Sequence, residues 1–249
     1  MSEELNVIAN TNCVLVCGKP ATGKSASLIG LDSARVLYLN AENGKKLPFR
    51  SSAIQITLVD PLEIFDYLQQ AEDSGEIDTV VLDSLTFWFQ AFETQYVNTA
   101  KDSRDAWKHY AGNFIKLMNE FVATSKMSFV FIAHTADNYD ENELKTETYV
   151  PIKGSLGRNG IEAFFTNVIS TKKIEVKKLD KPEYENDLLD ITDEDRAVGV
   201  KYVFQTRIDK NTHGERIRAP MGMWKLSETF IDNNLSHVIN RLNEYYAED

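Results

Sequence analysis

The stretch Gly18-Lys19-Pro20-Ala21-Thr22-Gly23-Lys24-Ser25 matches the pattern G-x-x-x-x-G-K-[ST] in full. Glycines at this spacing let backbone N–H groups curl around phosphate oxygens, and the start of a helix behind them adds a positive dipole. Lys24 is placed to neutralise the β- and γ-phosphates of a nucleotide, and the Ser25 hydroxyl to ligate Mg²⁺. The candidate nucleotide-binding set is Gly18, Lys19, Pro20, Ala21, Thr22, Gly23, Lys24, Ser25 and Ala26. Three polar residues at the ends of apolar runs join it. Asp83 ends Thr79-Val-Val-Leu-Asp83, where a carboxylate next to the loop-bearing strand can hold the magnesium shell or, alternatively, cap the following helix. Glu42 follows Leu37-Tyr-Leu-Asn-Ala, placed to accept a proton from, or to orient, an attacking water. His134 ends the strand after Asp83 and can sense the γ-phosphate; Glu42 and His134 can also be plain surface groups at strand ends. No N-K-x-D guanine-reading sequence is present, which favours ATP over GTP.

These residues need a scaffold, and the hydrophobic pattern supplies one. Asn12–Cys17, Arg35–Asn40, Ala53–Leu58, Asp78–Asp83 and Ser128–Ala133 read as short strands rich in apolar or β-branched residues. A short helix is expected from Gly23 to about Leu31. Another is expected from Pro61 to about Ser74, started by Asp60, Pro61 and Glu63. Between Leu85 and Ser125 the pattern is helical, with Trp107, Tyr110, Ala111, Phe114, Leu117, Met118, Phe121 and Val122 forming a core-facing stripe. Strands alternating with helices imply right-handed βαβ units, hence an α/β fold with a mostly parallel sheet flanked by helices. Residues 135–160 are polar and Gly-rich. Asn167–Val176 and Gly199–Ile208 read as two strands of a hairpin, over about 172–208, with an acidic segment between them. A final amphipathic helix carries Leu235, Val238, Ile239, Leu242, Tyr245 and Tyr246 on one face. Without internal repeat or long linker, residues 1–249 read as one domain.

Composition narrows the function classes. Hydrophobic residues make up 43% and charged residues 26% of the 249, the balance of a globular protein. No apolar stretch approaches the roughly 20 residues of a membrane span, and the acidic Met1-Ser2-Glu3-Glu4 does not read as a secretion signal. A cytoplasmic protein is expected. Cys13 and Cys17 lie on one strand face, about 13 Å apart at strand rise, which is too far for a disulfide. Both read as small buried hydrophobes. A net charge of −11 argues against a duplex-DNA reader with a broad basic face. Positive charge is nevertheless concentrated between Pro151 and Lys181, in Lys153, Arg158, Lys172, Lys173, Lys177, Lys178 and Lys181, and the acidic run from Glu183 to Asp195 follows it. A solvated hairpin with charged flanks accounts for that pattern equally well.

The order of these motifs resembles a known group. A phosphate loop is followed by a strand ending Ala41-Glu42, then Val81-Leu82-Asp83-Ser84, then a helix with Trp107-Lys108-His109-Tyr110, then Phe131-Ile132-Ala133-His134. This resembles the RecA-type ATPases of phages, above all the AAA_24 group that includes Sak-type single-strand annealing recombinases, over about Asn12 to Met223. The resemblance implies a RecA-like P-loop NTPase core, a homo-oligomer with ATP at the subunit interface, Glu42 as catalytic carboxylate and His134 as sensor. Thr206–Gly214 resembles the stretch that sends a basic finger into the neighbour's ATP, with Lys210 as the finger and Arg207 or Arg216 as alternatives. Residues 135–160 take the place of loops that touch single-stranded DNA, presenting Lys153 and Arg158. The implied function is an ATPase of DNA recombination, repair or single-strand annealing, working in the host cytoplasm if phage-encoded. Two features depart from a typical recombinase: no N-terminal oligomerisation arm is obvious, and Asp137, Asp140, Glu141, Glu143 and Glu147 crowd the DNA-facing region. An ATP-dependent loader or remodeller of other proteins is the alternative. A small-molecule kinase would need an Arg-rich lid that the sequence does not display.

Overall fold

The apolar runs become β1 (Cys13–Gly18), β2 (Val36–Asn40), β3 (Ile54–Thr57), β4 (Thr79–Asp83) and β5 (Ser128–His134). The computed structural model describes residues 10–141 and 145–247. With β8 (Asn167–Glu175), β9 (Val200–Gln205) and β10 (Phe230–Asp232) these strands form an eight-stranded sheet in the order β10-β9-β8-β1-β5-β4-β2-β3. The strands from β8 to β3 in that order pair in parallel, and β9 and β10 add an antiparallel edge. The architecture is therefore an α/β fold with a mostly parallel sheet flanked by helices, as expected.

Alternation along each strand explains why both faces are covered. Cys13, Leu15 and Cys17 of β1 point into one core with Val80 and Leu82 of β4 and Phe129 and Phe131 of β5. Val14 and Val16 point into the other with Val81, Val130 and Ile132. The first face is closed by α1 (Glu63–Ser74), α2 (Leu85–Phe92) and α3 (Ser103–Lys116). Two π-helical turns, Glu93–Val97 and Leu117–Val122, extend α2 and α3. Of the expected stripe, Tyr110, Phe114, Leu117, Met118 and Val122 are buried, while Trp107, Ala111 and Phe121 pack at its margin. The second face is closed largely by the last helix, through Leu235, Val238 and Leu242. Cys13 and Cys17 are buried free thiols, and burial pushes both thiol pKa values up.

The structure departs from the sequence reading in several places. The segment after the phosphate loop is a 3-10 turn over Ser25–Gly30 rather than a helix from Gly23, and Leu31 already has extended backbone. Asp60 starts α1 as expected, its carboxylate accepting from the Leu62 N–H, but Pro61 stays outside the helix. Residues 135–160 are not simply loop: Ala136–Asp140 (β6) and Lys145–Tyr149 (β7) form an antiparallel hairpin, and α4 (Gly154–Asn159) follows. Between β8 and β9 the chain forms α5 (Val176–Leu179), and the acidic segment then folds into a short 3-10 turn and α6 (Asp193–Val198), which Thr192 and Asp195 cap reciprocally. β9 stops at Gln205, and the next residue, Thr206, bonds the Glu228 carbonyl through its hydroxyl. The short β10 had no pattern to announce it. α7 spans Leu235–Ala247. Glu143 and the acidic start of the chain fall outside the described residues. Among the described residues no helix is long and apolar enough to cross a membrane.

Phe114 is fully buried, with its ring 5.3 Å from Phe89 and 5.1 Å from Phe164. Phe114→Ala is expected to cost about 3–5 kcal/mol of unfolding free energy by urea titration. Its neighbour Ile115 is 40% exposed, and Ile115→Ala should change stability by only about 0.5 kcal/mol. Equal losses at the two positions would contradict this packing.

Candidate active site

The carboxyl ends of the parallel strands lie level, and that places the site. Gly18 is opposite His134, Asp83 opposite Ile132, and Asn40 opposite Asp83. β5 lies between β1 and β4, so Asp83 does not sit on the strand beside the phosphate loop as expected; His134 does. Asp83 instead reaches past the end of β5 to the start of the 3-10 turn.

The loop is tightly built. A side chain at Gly18 would begin 2.1 Å from Thr171 Oγ1, so only glycine allows β8 to approach there. Gly23 has φ +93° and Ala21 φ 60°, left-handed backbone that costs a non-glycine residue energy and is found where a loop is held for function. The Thr22 hydroxyl bonds the Lys19 carbonyl at 2.7 Å and the Thr171 hydroxyl at 2.6 Å. Lys19 Nζ pairs with Asp137 at 2.5 Å, tying the loop to β6, and that contact holds the Asp137 carboxyl below the usual range. Lys24 is only 7% exposed, its ammonium donating to the carbonyls of Gly18 at 3.0 Å and Lys19 at 2.8 Å. Burial lowers its pKa to about 8, against the pull of Asp83 and Glu42.

Ser25 Oγ donates to Asp83 Oδ2 at 2.6 Å, and the Tyr38 hydroxyl donates to the same oxygen at 2.9 Å. Asp83 Oδ1 is buried, with no hydrogen-bond partner among the described residues. Burial raises the Asp83 pKa, and the nearby Glu42 charge adds to the rise. An orphaned carboxylate oxygen beside a serine hydroxyl is a hard oxygen donor set, which fits Mg²⁺.

Across the cavity, Glu42 Oε1 and His134 Nε2 are 2.7 Å apart, and Glu42 Oε2 accepts from Lys45 Nζ at 3.0 Å. Asn40 accepts the Glu42 N–H, Thr86 accepts the His134 N–H, and the Phe87 ring packs edge-on against the imidazole. The sequence treated Glu42 and His134 as separate candidates, but here they form one unit. The His134 hydrogen bond, with Lys45 helping, brings the Glu42 pKa down to about 2. Such a carboxylate is better suited to orienting a water than to taking its proton.

Lys24, Ser25, Glu42 and His134 line a cavity of about 440 Å³ that also includes Tyr38, Lys45, Tyr202 and Asn233. None of those four was singled out from the sequence. Only Lys45 carried a usable signal, three residues after Glu42. The Asn233 amide bonds the Gly23 carbonyl at 2.8 Å and Tyr202 packs beside Gly23, contacts made over more than 170 positions of chain. A larger recess of about 930 Å³ lies at the opposite strand ends, lined by Asn12, Asp78 and Ser128. It has no phosphate loop, and ligands of open α/β sheets bind at the carboxyl ends.

The other candidates lie outside this cavity. Lys210 is exposed on a turn that the Asp209 side chain and Thr212 hold. Arg207 is spent on the Trp224 carbonyl at 2.9 Å and Arg216 on Glu162 at 3.0 Å. Lys153 pairs with Glu93 at 2.7 Å, and Arg158 is exposed on α4.

The sequence profile of the family AAA_24, described as an AAA domain, matches residues 10–214. No match was found among curated proteins. Among solved structures, a KaiC-like protein from the hyperthermophilic archaeon Pyrococcus horikoshii OT3 aligns at 11% identity over 81% of this chain and 80% of its own, with a TM-score of 0.43.

The Glu42 contacts set a pH dependence. Its folded pKa, about 2, lies below the ordinary 4.5. The contacts therefore stabilise the protein above pH 4.5 and lose that contribution as pH falls toward 2, an amount on the order of 2 kcal/mol. The stability gap between wild type and Glu42→Gln, read from urea midpoints, should narrow between pH 5 and pH 3. A constant gap would contradict it.

Proposed function

This chain belongs to the AAA_24 family of AAA domains and is a P-loop ATPase, and on that premise we propose that it couples ATP hydrolysis to DNA recombination or annealing on single strands. The observation that carries the ATPase chemistry is the cluster of Lys24, the Ser25–Asp83 hydrogen bond and the Glu42–His134 pair around one cavity. In this reading the triphosphate displaces the Gly18 and Lys19 carbonyls from Lys24, whose ammonium then meets the β- and γ-phosphates. Ser25 and Asp83 hold Mg²⁺, which when bound neutralises charge developing on the phosphoryl oxygens. Glu42 orients the attacking water, and His134, hydrogen-bonded to Glu42, registers the γ-phosphate.

The site works at the interface of a homo-oligomer, where exposed Lys210 of one subunit faces the ATP of the next. Support for this is its position on a turn without an ion pair among the described residues, whereas Arg207 bonds the Trp224 carbonyl and Arg216 pairs with Glu162. Lys153 and Arg158 contact the DNA backbone. One observation favours a second reading, a loader or remodeller of proteins: Lys153 is already neutralised by Glu93, and β6–β7 carries Asp137, Asp140 and Glu147.

Lys24→Ala should abolish turnover in a folded protein, and Glu42→Gln should retain ATP binding while turnover falls by a factor on the order of 10². A near-normal rate in either variant would remove that residue from the chemistry. Wild-type turnover should rise with single-stranded DNA and with protein concentration, and a mixture of Lys24→Ala and Lys210→Ala subunits should recover part of it. Turnover that ignores DNA, with no salt-sensitive oligonucleotide binding, would favour the protein-remodelling reading. Turnover that ignores concentration, with no recovery in the mixture, would leave Lys210 without a role.

A further inference from the structure

The loop after β2 brings a second lysine to the phosphate cavity from the same chain. Asn43 and Gly44 take left-handed backbone, with φ of 53° and 76°, and fold the chain back so that the Lys45 N–H bonds the Glu42 carbonyl at 3.1 Å. The Asn40 side chain donates to the Lys45 carbonyl at 2.6 Å and, through its oxygen, accepts the Glu42 N–H. The backbone of Lys45 is thus fixed from a buried strand end, while its side chain stays 66% exposed and ends on Glu42. The Glu42 end of the pair is only 9% exposed, but the lysine end is open to solvent, and four rotatable bonds let the ammonium move while the backbone stays in place.

The charge pattern of the cavity gives that mobility a use. A triphosphate anchored on Lys24 extends its terminal phosphoryl group toward the side of the cavity that carries Glu42, where anion would meet carboxylate. Lys24 is buried at the root of the loop, where its ammonium is directed at the Gly18 and Lys19 carbonyls and not at Glu42. Lys45 lines the same cavity as Glu42 and bonds Glu42 Oε2 at 3.0 Å. Holding Glu42 in place does not require it, since His134 bonds the other carboxylate oxygen at 2.7 Å.

We propose that Lys45 is a catalytic cation of this site, leaving Glu42 when a triphosphate enters and pairing with its γ-phosphate in cis. The transfer does two things at once. It screens the terminal phosphate from Glu42, and it uncovers the Glu42 oxygen that faces the cavity, so a water can bind there only when a γ-phosphate is present. With a diphosphate bound, Lys45 returns to Glu42 and covers it again. The inference rests on the ATPase reading above and is independent of any neighbouring subunit.

The test compares magnesium-dependent binding of a non-hydrolysable ATP analogue, AMP-PNP, and of ADP by calorimetry. Lys45→Met should weaken AMP-PNP about tenfold, as the loss of one charge-assisted contact to phosphate, and leave ADP within about twofold. Retained ADP binding doubles as the check that the variant is folded. Lys45→Arg should restore most of the AMP-PNP affinity. Mixing Lys45→Met with Lys24→Ala subunits should recover no turnover, because the two lysines must be intact in one chain. Unchanged affinity for both nucleotides, equal loss of both, or recovery in the mixture would each overturn the proposal while leaving the ATPase reading in place. A wild-type protein that bound neither nucleotide would take down both.

Discussion

A buried ammonium held by backbone carbonyls governs this structure. Among the described residues Lys24 donates to the carbonyls of Gly18 and Lys19 alone, which satisfy its hydrogen bonds but leave its charge in a poorly solvated place. The depressed pKa is the consequence of that arrangement. Much of the surrounding geometry serves to keep the arrangement in place. Gly18 admits β8 closely, Thr22 and Thr171 clip the loop to that strand, and Asn233 grips the Gly23 carbonyl from the far end of the chain. A loop held in left-handed backbone around an underpaired cation is poised for an anionic ligand before one arrives.

The sheet order distributes the remaining charges around that cation. Inserting β5 between β1 and β4 opens lateral space at the strand ends, and the level register brings His134, Asp83 and the Asn40–Glu42 segment to one rim. The Glu42 charge raises the cost of ionising Asp83, but their settings differ. Among the described residues Asp83 has both donors on one buried oxygen and the other bare, whereas each Glu42 oxygen has a partner. Burial and hydrogen bonding thus move two neighbouring carboxyls in opposite directions, and their suitability for different tasks follows from that separation.

Outside the rim, ion pairing consumes much of the basic segment. Lys172 pairs with Glu215, Lys178 with Asp209 at 3.0 Å, and Lys153 with Glu93. Those pairs join β8, α5 and α4 to distant segments of the chain. A local excess of lysine in the sequence therefore overstates the positive surface available to a polyanion, because its counter-charges arrive from elsewhere in the fold. Lys210 and Arg158, by contrast, are exposed.

The sequence by itself determined the parts that local physics controls. The phosphate loop, the apolar strands and the helical stripe ending at Val122 were legible, because glycine spacing and period-2 or period-3.6 burial are properties of neighbouring residues. Glu42, Asp83 and His134 could be picked out as polar residues ending apolar strands. Tertiary structure decided their relations. The place of β5 in the sheet, the Glu42–His134 contact over 92 positions and the Ser25–Asp83 bond over 58 depend on which strands lie side by side. The hairpin β6–β7 and the short β10 escaped because polar two-stranded ribbons and three-residue edge strands bury too little to leave a pattern. Tyr38, Tyr202 and Asn233 escaped for a different reason. Each sits in an ordinary local context and acquires a role only when strands β2 and β9 and the turn after β10 converge on the loop, a convergence driven by burial of both sheet faces and not by any local preference.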